Sequence, residues 1–109
     1  MGDLSTPKDV FDRLGEIQLV DCREQYEWDA GRVEGAIFIP LNQIMAGGGD
    51  LDQSKPVVVV CRSGNRSELA TMMLQARGYD AHNLEGGMEG WQAEGLPISA
   101  PDGSAGRVA

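Results

Sequence analysis

The residues with the most evident chemistry form one short run around Cys61. The cysteine follows four consecutive valines, Val57–Val60, and precedes a loop of small and basic residues. Residues 68–77 then predict a helix, which Gly78 ends. A thiol at this junction faces the unpaired amides and the positive end of the helix, which favour a thiolate over a thiol. The run therefore predicts a nucleophilic cysteine.

The loop after Cys61 is suited to bind an anion. Gly64 permits a turn with positive φ, in which successive backbone amides form a concave anion site. The alternative is that Cys61 is an inert buried thiol, but the polar loop has no evident use in a hydrophobic core. The predicted substrate-binding residues are Arg62, Ser63, Gly64, Asn65, Arg66 and Ser67.

Three motifs, in the same order, resemble those of the rhodanese (thiosulfate sulfurtransferase) family. CRSGNRS at residues 61–67 is similar to the active-site loop of that family. The upstream signature is matched by DCRE at 21–24, YE at 26–27 and GRVEGAI at 31–37, and the closing signature by LEGG at 84–87, Trp91 and GLP at 95–97. The resemblance covers residues 4–98 and implies a single-domain rhodanese-like protein.

Strand and helix patterns alternate along the chain and predict a small α/β domain. Apolar strands are expected near residues 17–22, 36–40, 57–60 and 79–84. Such alternation gives a mostly parallel sheet with helices on both faces. The resemblance implies the three-layer rhodanese-like fold with a five-stranded sheet. We expect one domain over residues 4–99, followed by a disordered tail at 100–109.

Composition limits the partners that the chain is expected to have. The 109 residues carry a net charge of −8, which argues against nucleic acid and anionic membranes as partners. No run of eighteen apolar residues is present, and the N-terminus lacks the apolar core of a signal peptide. Together with two cysteines and a motif built on a free thiol, this predicts a cytoplasmic location.

The resemblance implies sulfur transfer through Cys61. Its thiolate would attack the sulfane sulfur of thiosulfate or of a low-molecular-weight persulfide and become a persulfide itself. A thiol or cyanide would then accept the sulfur, in a two-step covalent cycle with ping-pong kinetics. The expected partners are this small anionic donor, the acceptor and, in one version, a protein that accepts sulfur. The reaction needs no metal and no cofactor.

Three residues outside the loop are expected to support the site: Asp21, Arg23 and Arg32. If the strands before Arg23 and Cys61 are parallel, both residues lie at one edge of the sheet. Together with the two loop arginines, Arg23 and Arg32 would give this acidic protein a locally positive entrance to the site. Arg62 is favoured for substrate contact, whereas Arg66 has the alternative of pairing with Asp21 or Glu27 and stiffening the loop.

The chain departs from the family pattern at two positions. Arg32 stands where the family commonly has histidine, so any structural role of that histidine is in doubt. Cys22 replaces a common aliphatic residue, which suggests the hypothesis of a resolving thiol that attacks the Cys61 persulfide or forms a protective disulfide. The alternative for Cys22 is a buried cysteine in place of valine.

The spacing of the loop separates related chemistries. Four residues lie between Cys61 and Arg66, whereas phosphatase relatives of this fold have five. The smaller loop favours sulfur over phosphate. Two other functions stay open: a sulfur-relay carrier with little thiosulfate turnover, which needs the same loop, and an interaction or sensor module, which usually lacks the cysteine.

Overall fold

Helices and strands alternate along the part of the chain that the structure describes. The structure, a computed structural model, describes residues 4–109. The elements are α1 (Pro7–Asp12), a 3₁₀ helix (Leu14–Glu16), β1 (Gln18–Asp21), α2 (Gln25–Ala30), β2 (Ile37–Phe38), α3 (Leu41–Met45), β3 (Val57–Val60), α4 (Asn65–Ala76), β4 (Ala81–Asn83) and α5 (Gly87–Ala93). Within residues 4–109, no helix is long and apolar enough to cross a bilayer.

The strands form one parallel sheet in the order β2-β1-β3-β4. This confirms the predicted α/β class and the parallel pairing. The prediction of five strands is wrong for residues 4–109, in which the sheet has four. Before α1, Ser5 O accepts a backbone hydrogen bond from Glu85 N (2.7 Å). Pro7 fixes φ and has no N–H, so the chain enters a helix there instead of extending a strand.

The valines of β3 are buried on both faces of the sheet, as the sequence predicts. Val57 and Val59 pack in one core with side chains from α3 and α4, including Ile44 and Leu74. Val58 and Val60 face the opposite core, which contains residues of α1 and α5: Val10, Met88 and Trp91. Alternation along β3 therefore divides the domain into helix, sheet and helix layers. Cys61 returns to the α4 side of the sheet.

Helix α4 begins earlier than the sequence pattern indicates. The predicted start at residue 68 is wrong, because α4 begins at Asn65 after Gly64. Gly64 has φ +113°, a left-handed conformation that a residue with a Cβ rarely adopts. The loop after Cys61 is thus only three residues long, and Arg66 and Ser67 belong to the first helical turn.

The segment after Ser99 lies against the domain. Gly106 N donates to Ile98 O (2.9 Å), Arg107 N donates to Ala30 O (3.0 Å), and Val108 packs against the core on the α1 and α5 side. The domain boundary at residue 99 and the disorder expected beyond it stay predictions.

Candidate active site

Cys61 lies at the carboxyl end of β3, where the short loop leads into α4. Asp21 at the end of β1 is in register with Val60, so both strands end at the same edge of the sheet. The Cys61 side chain is buried, with 1 % of the residue exposed. Its Sγ accepts hydrogen bonds from Gly64 N at 3.1 Å and from Ser67 Oγ at 3.3 Å. The loop and the first turn of α4 therefore surround the sulfur with donors.

These donors determine the ionisation of Cys61. Burial raises the pKa of its thiol, but the Ser67 hydroxyl and the backbone amides of Ser67, Gly64 and Ser63 lower it by a larger amount. The pKa of Cys61 therefore lies below the ordinary value for a thiol. This increases the fraction of thiolate, the nucleophilic form, near neutral pH.

Asn83 at the end of β4 anchors the same loop. The Ser67 hydroxyl lies within hydrogen-bond distance of three acceptors: Cys61 Sγ (3.3 Å), Gly64 O (3.2 Å) and Asn83 Oδ1 (2.5 Å). A hydroxyl has a single proton to donate, so these acceptors compete for it. Asn83 Nδ2 also donates to Gly64 O at 3.2 Å. The sequence analysis missed Asn83; the only signal was its place at the end of a strand expected near β3.

Arg66 is held by a buried carboxylate on α2. Its Nη1 and Nη2 donate to Glu27 Oε1 and Oε2 at 2.7 and 2.9 Å, and the Glu27 side chain is only 2 % exposed. Burial raises the pKa of Glu27, but Arg66 and the backbone amide of Glu24 outweigh it, so this pKa is below its usual range. Of the two partners proposed for Arg66, the structure thus shows Glu27. The pair ties α2 to the first turn of α4.

The sequence of the chain matches that of a known protein family. A sequence model described as "Rhodanese-like domain" matches residues 6–94, which include every residue of the site. The chain belongs to the rhodanese-like domain family. This confirms the resemblance on which the expected fold and chemistry rest.

Individual relatives of this rhodanese-like domain agree with that assignment. A protein named sulfurtransferase from Allochromatium vinosum is 37% identical over 89 residues, which are 81% of this chain and 83% of the relative. YrkF of Bacillus subtilis, whose name describes a sulfur carrier, is 27% identical over 77% of this chain and 46% of its own length. The crystal structure of a rhodanese-related protein from Thermoplasma volcanium superposes with a TM-score of 0.81, at 29% identity, over 85% of this chain and 93% of that one. Relatives and family together support sulfur transfer as the general activity.

The other arginines expected at the site of the rhodanese-like domain also have partners. Arg62 pairs with Glu89 of α5 at 3.2 Å. Arg23 is fully buried and makes a two-pronged contact with Asp21, from Nε to Oδ1 (2.9 Å) and from Nη2 to Oδ2 (2.8 Å). Arg32 lies over the ring of Trp28, with its Cζ 4.6 Å from the centroid. The locally positive entrance predicted from the sequence is therefore not built from free guanidinium groups of these four arginines. Substrate contact by Arg62 and supporting roles for Asp21, Arg23 and Arg32 stay predictions.

Cys22 follows β1 and lies in the same core as Cys61. Its backbone N donates to Val60 O at 3.0 Å, and its side chain is buried. Burial, the negative charge of a Cys61 thiolate and the carboxylate of Asp21 raise the pKa of Cys22 to about 12. A thiol with such a pKa stays protonated at neutral pH and is a poor attacking group. These features favour the buried, valine-like interpretation over the resolving thiol.

We expect Ser67→Ala to shift the pH dependence of Cys61 reactivity to higher pH. The change removes a hydrogen bond to the thiolate, so the pKa of Cys61 rises and less thiolate is present at neutral pH. Because hydrogen bonds to charged groups contribute about 1.5–3 kcal/mol, the rate of alkylation by iodoacetamide at pH 7 should fall about tenfold or more. Ser63→Ala is the matched control, because Ser63 faces the sulfur through its backbone amide and its side chain is exposed. An unchanged pH profile in Ser67→Ala would show that the hydroxyl serves Asn83 and not the thiolate.

We expect the two cysteines of the native protein to react very differently. Both thiols are equally buried, so the difference follows from their ionisation: iodoacetamide at neutral pH should modify Cys61 alone, and Cys22, which stays protonated, should become reactive only after unfolding. Peptide mass mapping of native and denatured samples, before and after mild oxidation, measures this. If oxidation removes both free thiols together, a Cys22–Cys61 disulfide has formed and Cys22 acts as a resolving thiol.

Proposed function

We propose that this rhodanese-like domain is a sulfurtransferase that carries sulfane sulfur as a persulfide on Cys61. The observation that supports this proposal most strongly is the position of Cys61. It is buried at the end of β3, and its sulfur faces the hydrogen-bond donors of Gly64 and Ser67. Donors that lower the pKa of the thiol prepare the nucleophile. The amides of the same loop would also receive negative charge on the transferred sulfur, as an oxyanion hole does for oxygen.

In the first step the Cys61 thiolate attacks the outer sulfur of the donor. A Cys61 Sγ–S bond forms while the S–S bond of the donor breaks, and its electron pair leaves with sulfite or with a thiolate. In the second step a thiol or cyanide attacks the outer sulfur of the persulfide and regenerates the Cys61 thiolate. Thiosulfate or a low-molecular-weight persulfide is the proposed donor. We assign the reaction to the cytoplasm, where a free thiol persists.

The size of the loop supports sulfur in preference to phosphate chemistry. Only Arg62, Ser63 and Gly64 separate Cys61 from α4, and Gly64 N already lies 3.1 Å from the sulfur. A ring of amides this close to Sγ suits one additional sulfur atom better than a tetrahedral phosphate.

A sulfur-relay carrier is the second candidate function. It is favoured by the likeness to YrkF, whose name describes a sulfur carrier, and by the burial of Cys61, which limits access to the sulfur. A carrier would accept sulfur from one protein and pass it to another, with little thiosulfate turnover. An interaction or sensor module is disfavoured because the cysteine is present in this loop.

Steady-state kinetics with cyanide as acceptor, and with thiosulfate and a thiol persulfide in turn as donor, separate these functions. An enzyme is expected to form many equivalents of thiocyanate per protein and to give parallel double-reciprocal plots, because the two substrates react in separate steps. One equivalent of bound sulfur without turnover would indicate the carrier. No bound sulfur from thiosulfate or from glutathione persulfide would contradict sulfur transfer and leave a binding module.

A further inference from the structure

Each positive charge on the loop around Cys61 is balanced by a carboxylate. Arg66 is bound through both terminal nitrogens to buried Glu27, and Arg62 lies 3.2 Å from Glu89. The donors that face the sulfur itself are uncharged: the amides of Gly64 and Ser63 and the hydroxyl and amide of Ser67. The cradle thus offers hydrogen bonds to a substrate, and the net charge of its two ion pairs is zero.

Glu89 is fixed beside the loop by the backbone. Met88 N donates to Cys61 O (2.8 Å) and Glu89 N donates to Arg62 O (2.9 Å), so the first turn of α5 is bound to the loop carbonyls. Gly87 permits this close approach, because a Cβ there would collide with the carbonyl oxygens of Cys61 and Arg62. The Glu89 carboxylate therefore stays near the loop even when its side chain moves.

The charge of Glu89 matters more than the strength of its ion pair. The Arg62 and Glu89 side chains are 53% and 51% exposed, and such exposed pairs contribute little stability. A substrate that separates the pair still meets both charges at the mouth of the loop. An anion that enters therefore gains no net attraction from Arg62.

The two classes of sulfur donor differ in the charge that they bring to this mouth. Thiosulfate is a dianion, and its sulfonate group must remain outside the cradle while the outer sulfur reaches Cys61. The persulfide group of a thiol persulfide, R–S–SH, carries one negative charge when ionised and none when protonated, and the donor leaves as the thiolate R–S⁻. Without net positive charge from Arg62 and Arg66, the dianion lacks the attraction that usually recruits such substrates, whereas a persulfide with one charge or none needs it less.

We infer that this domain takes its sulfur from a thiol persulfide in preference to thiosulfate, and that Glu89 is the residue that sets this preference by neutralising Arg62. The inference rests on the proposed function and narrows its donor. The Cys61 thiolate attacks the outer sulfur of R–S–SH, the Cys61 Sγ–S bond forms, and the donor S–S bond breaks with its electron pair on R–S⁻. The proton stays on the transferred sulfur until the new persulfide ionises, so no oxidant or reductant is consumed.

The test compares kcat/KM for thiosulfate and for cysteine persulfide, whose ammonium and carboxylate charges cancel, with the same acceptor, in the wild type and in Glu89→Gln. Unpairing Arg62 should raise the thiosulfate-to-persulfide ratio about five- to tenfold, because a charge a few ångströms from the dianion is no longer balanced. The comparison of this ratio between variant and wild type cancels the intrinsic reactivity of the two donors. The gain should shrink at high ionic strength and disappear in Glu89→Gln/Arg62→Gln. Glu94→Gln at the end of α5 is the matched control, since it removes the same charge from an exposed site away from the loop.

After division by the rates at which the two donors react with a free thiol, we expect kcat/KM of the wild type for the persulfide to exceed that for thiosulfate by about tenfold or more, since neither loop arginine has net charge to offer. A persulfide loaded on serum albumin, compared with cysteine persulfide, shows whether the donor is a protein or a small thiol; preference for either one over thiosulfate supports the inference. A wild type that prefers thiosulfate, or a ratio that Glu89→Gln leaves unchanged, would overturn it. Absence of transfer from every donor is a different result, which contradicts the proposed function itself.

Discussion

Replacing Cys61 by serine is expected to lower sulfur-transfer turnover at least about ten-thousand-fold. The hydroxyl cannot form the S–S bond that carries the sulfur, and loss of a covalent nucleophile typically removes most of the catalysis of such an enzyme. Formation of thiocyanate from cyanide, with either thiosulfate or glutathione persulfide as donor, measures the loss. Serine is close to cysteine in size, so the buried position at the end of β3 should still be filled.

The matched control for this experiment is Cys22→Val. Cys22 is the other buried cysteine, and its thiol, with a pKa of about 12, stays protonated at neutral pH. Valine fits an apolar core position, so turnover should remain within about threefold of the wild type. Substantial turnover in Cys61→Ser, or a comparable loss in Cys22→Val, would remove Cys61 from its assigned role.

Arg23→Met is expected to be the most destabilising substitution near the site. The Arg23 and Asp21 side chains are almost completely buried, and the guanidinium also donates to Gly31 O at 2.7 Å. Methionine would leave the Asp21 carboxylate buried without its partner. Breaking a buried pair in this way typically costs about 3–5 kcal/mol, a large part of the stability of a small domain. Urea unfolding followed by circular dichroism measures the change.

Two comparisons make the origin of that loss clear. Arg107→Met makes the same chemical change at an exposed residue and should alter stability by less than about 0.5 kcal/mol. Asp21→Leu/Arg23→Met removes both charges and should be more stable than the sum of its single changes predicts. If Arg23→Met unfolds at the same urea concentration as the wild type, the pair does not stabilise the turn after β1.

The sequence predicts the backbone of the domain well because local patterns determine it. Four consecutive valines, Val57–Val60, predict a strand that is buried on both faces of a sheet. The alternation of strands and helices predicts that the strands pair in parallel. The predicted start of α4 at residue 68 is too late, because Asn65 and Arg66 have the residue types of a loop. Gly64, in a left-handed conformation, already begins the helix there.

The carboxylate partners of the loop arginines could not be predicted from the sequence. Arg66 meets Glu27, which is 39 residues away in sequence, and the sequence equally allowed Asp21 as its partner. Arg62 meets Glu89 only because α5 packs its first turn against the loop. Such contacts depend on the tertiary fold and on side-chain geometry, which periodicity and spacing do not contain. The same holds for Asn83, whose hydrogen bonds to Ser67 and Gly64 arise from the β3 and β4 pairing.

The most direct test of the account is the intact mass of the protein after brief incubation with glutathione persulfide and removal of excess donor. The account predicts a gain of one sulfur atom, located by peptide mapping on Cys61, lost again when cyanide is added and absent in Cys61→Ser. A protein that keeps its original mass with this donor and with thiosulfate, or one that carries the sulfur on Cys22, would contradict the claim that Cys61 is the sulfur-carrying residue.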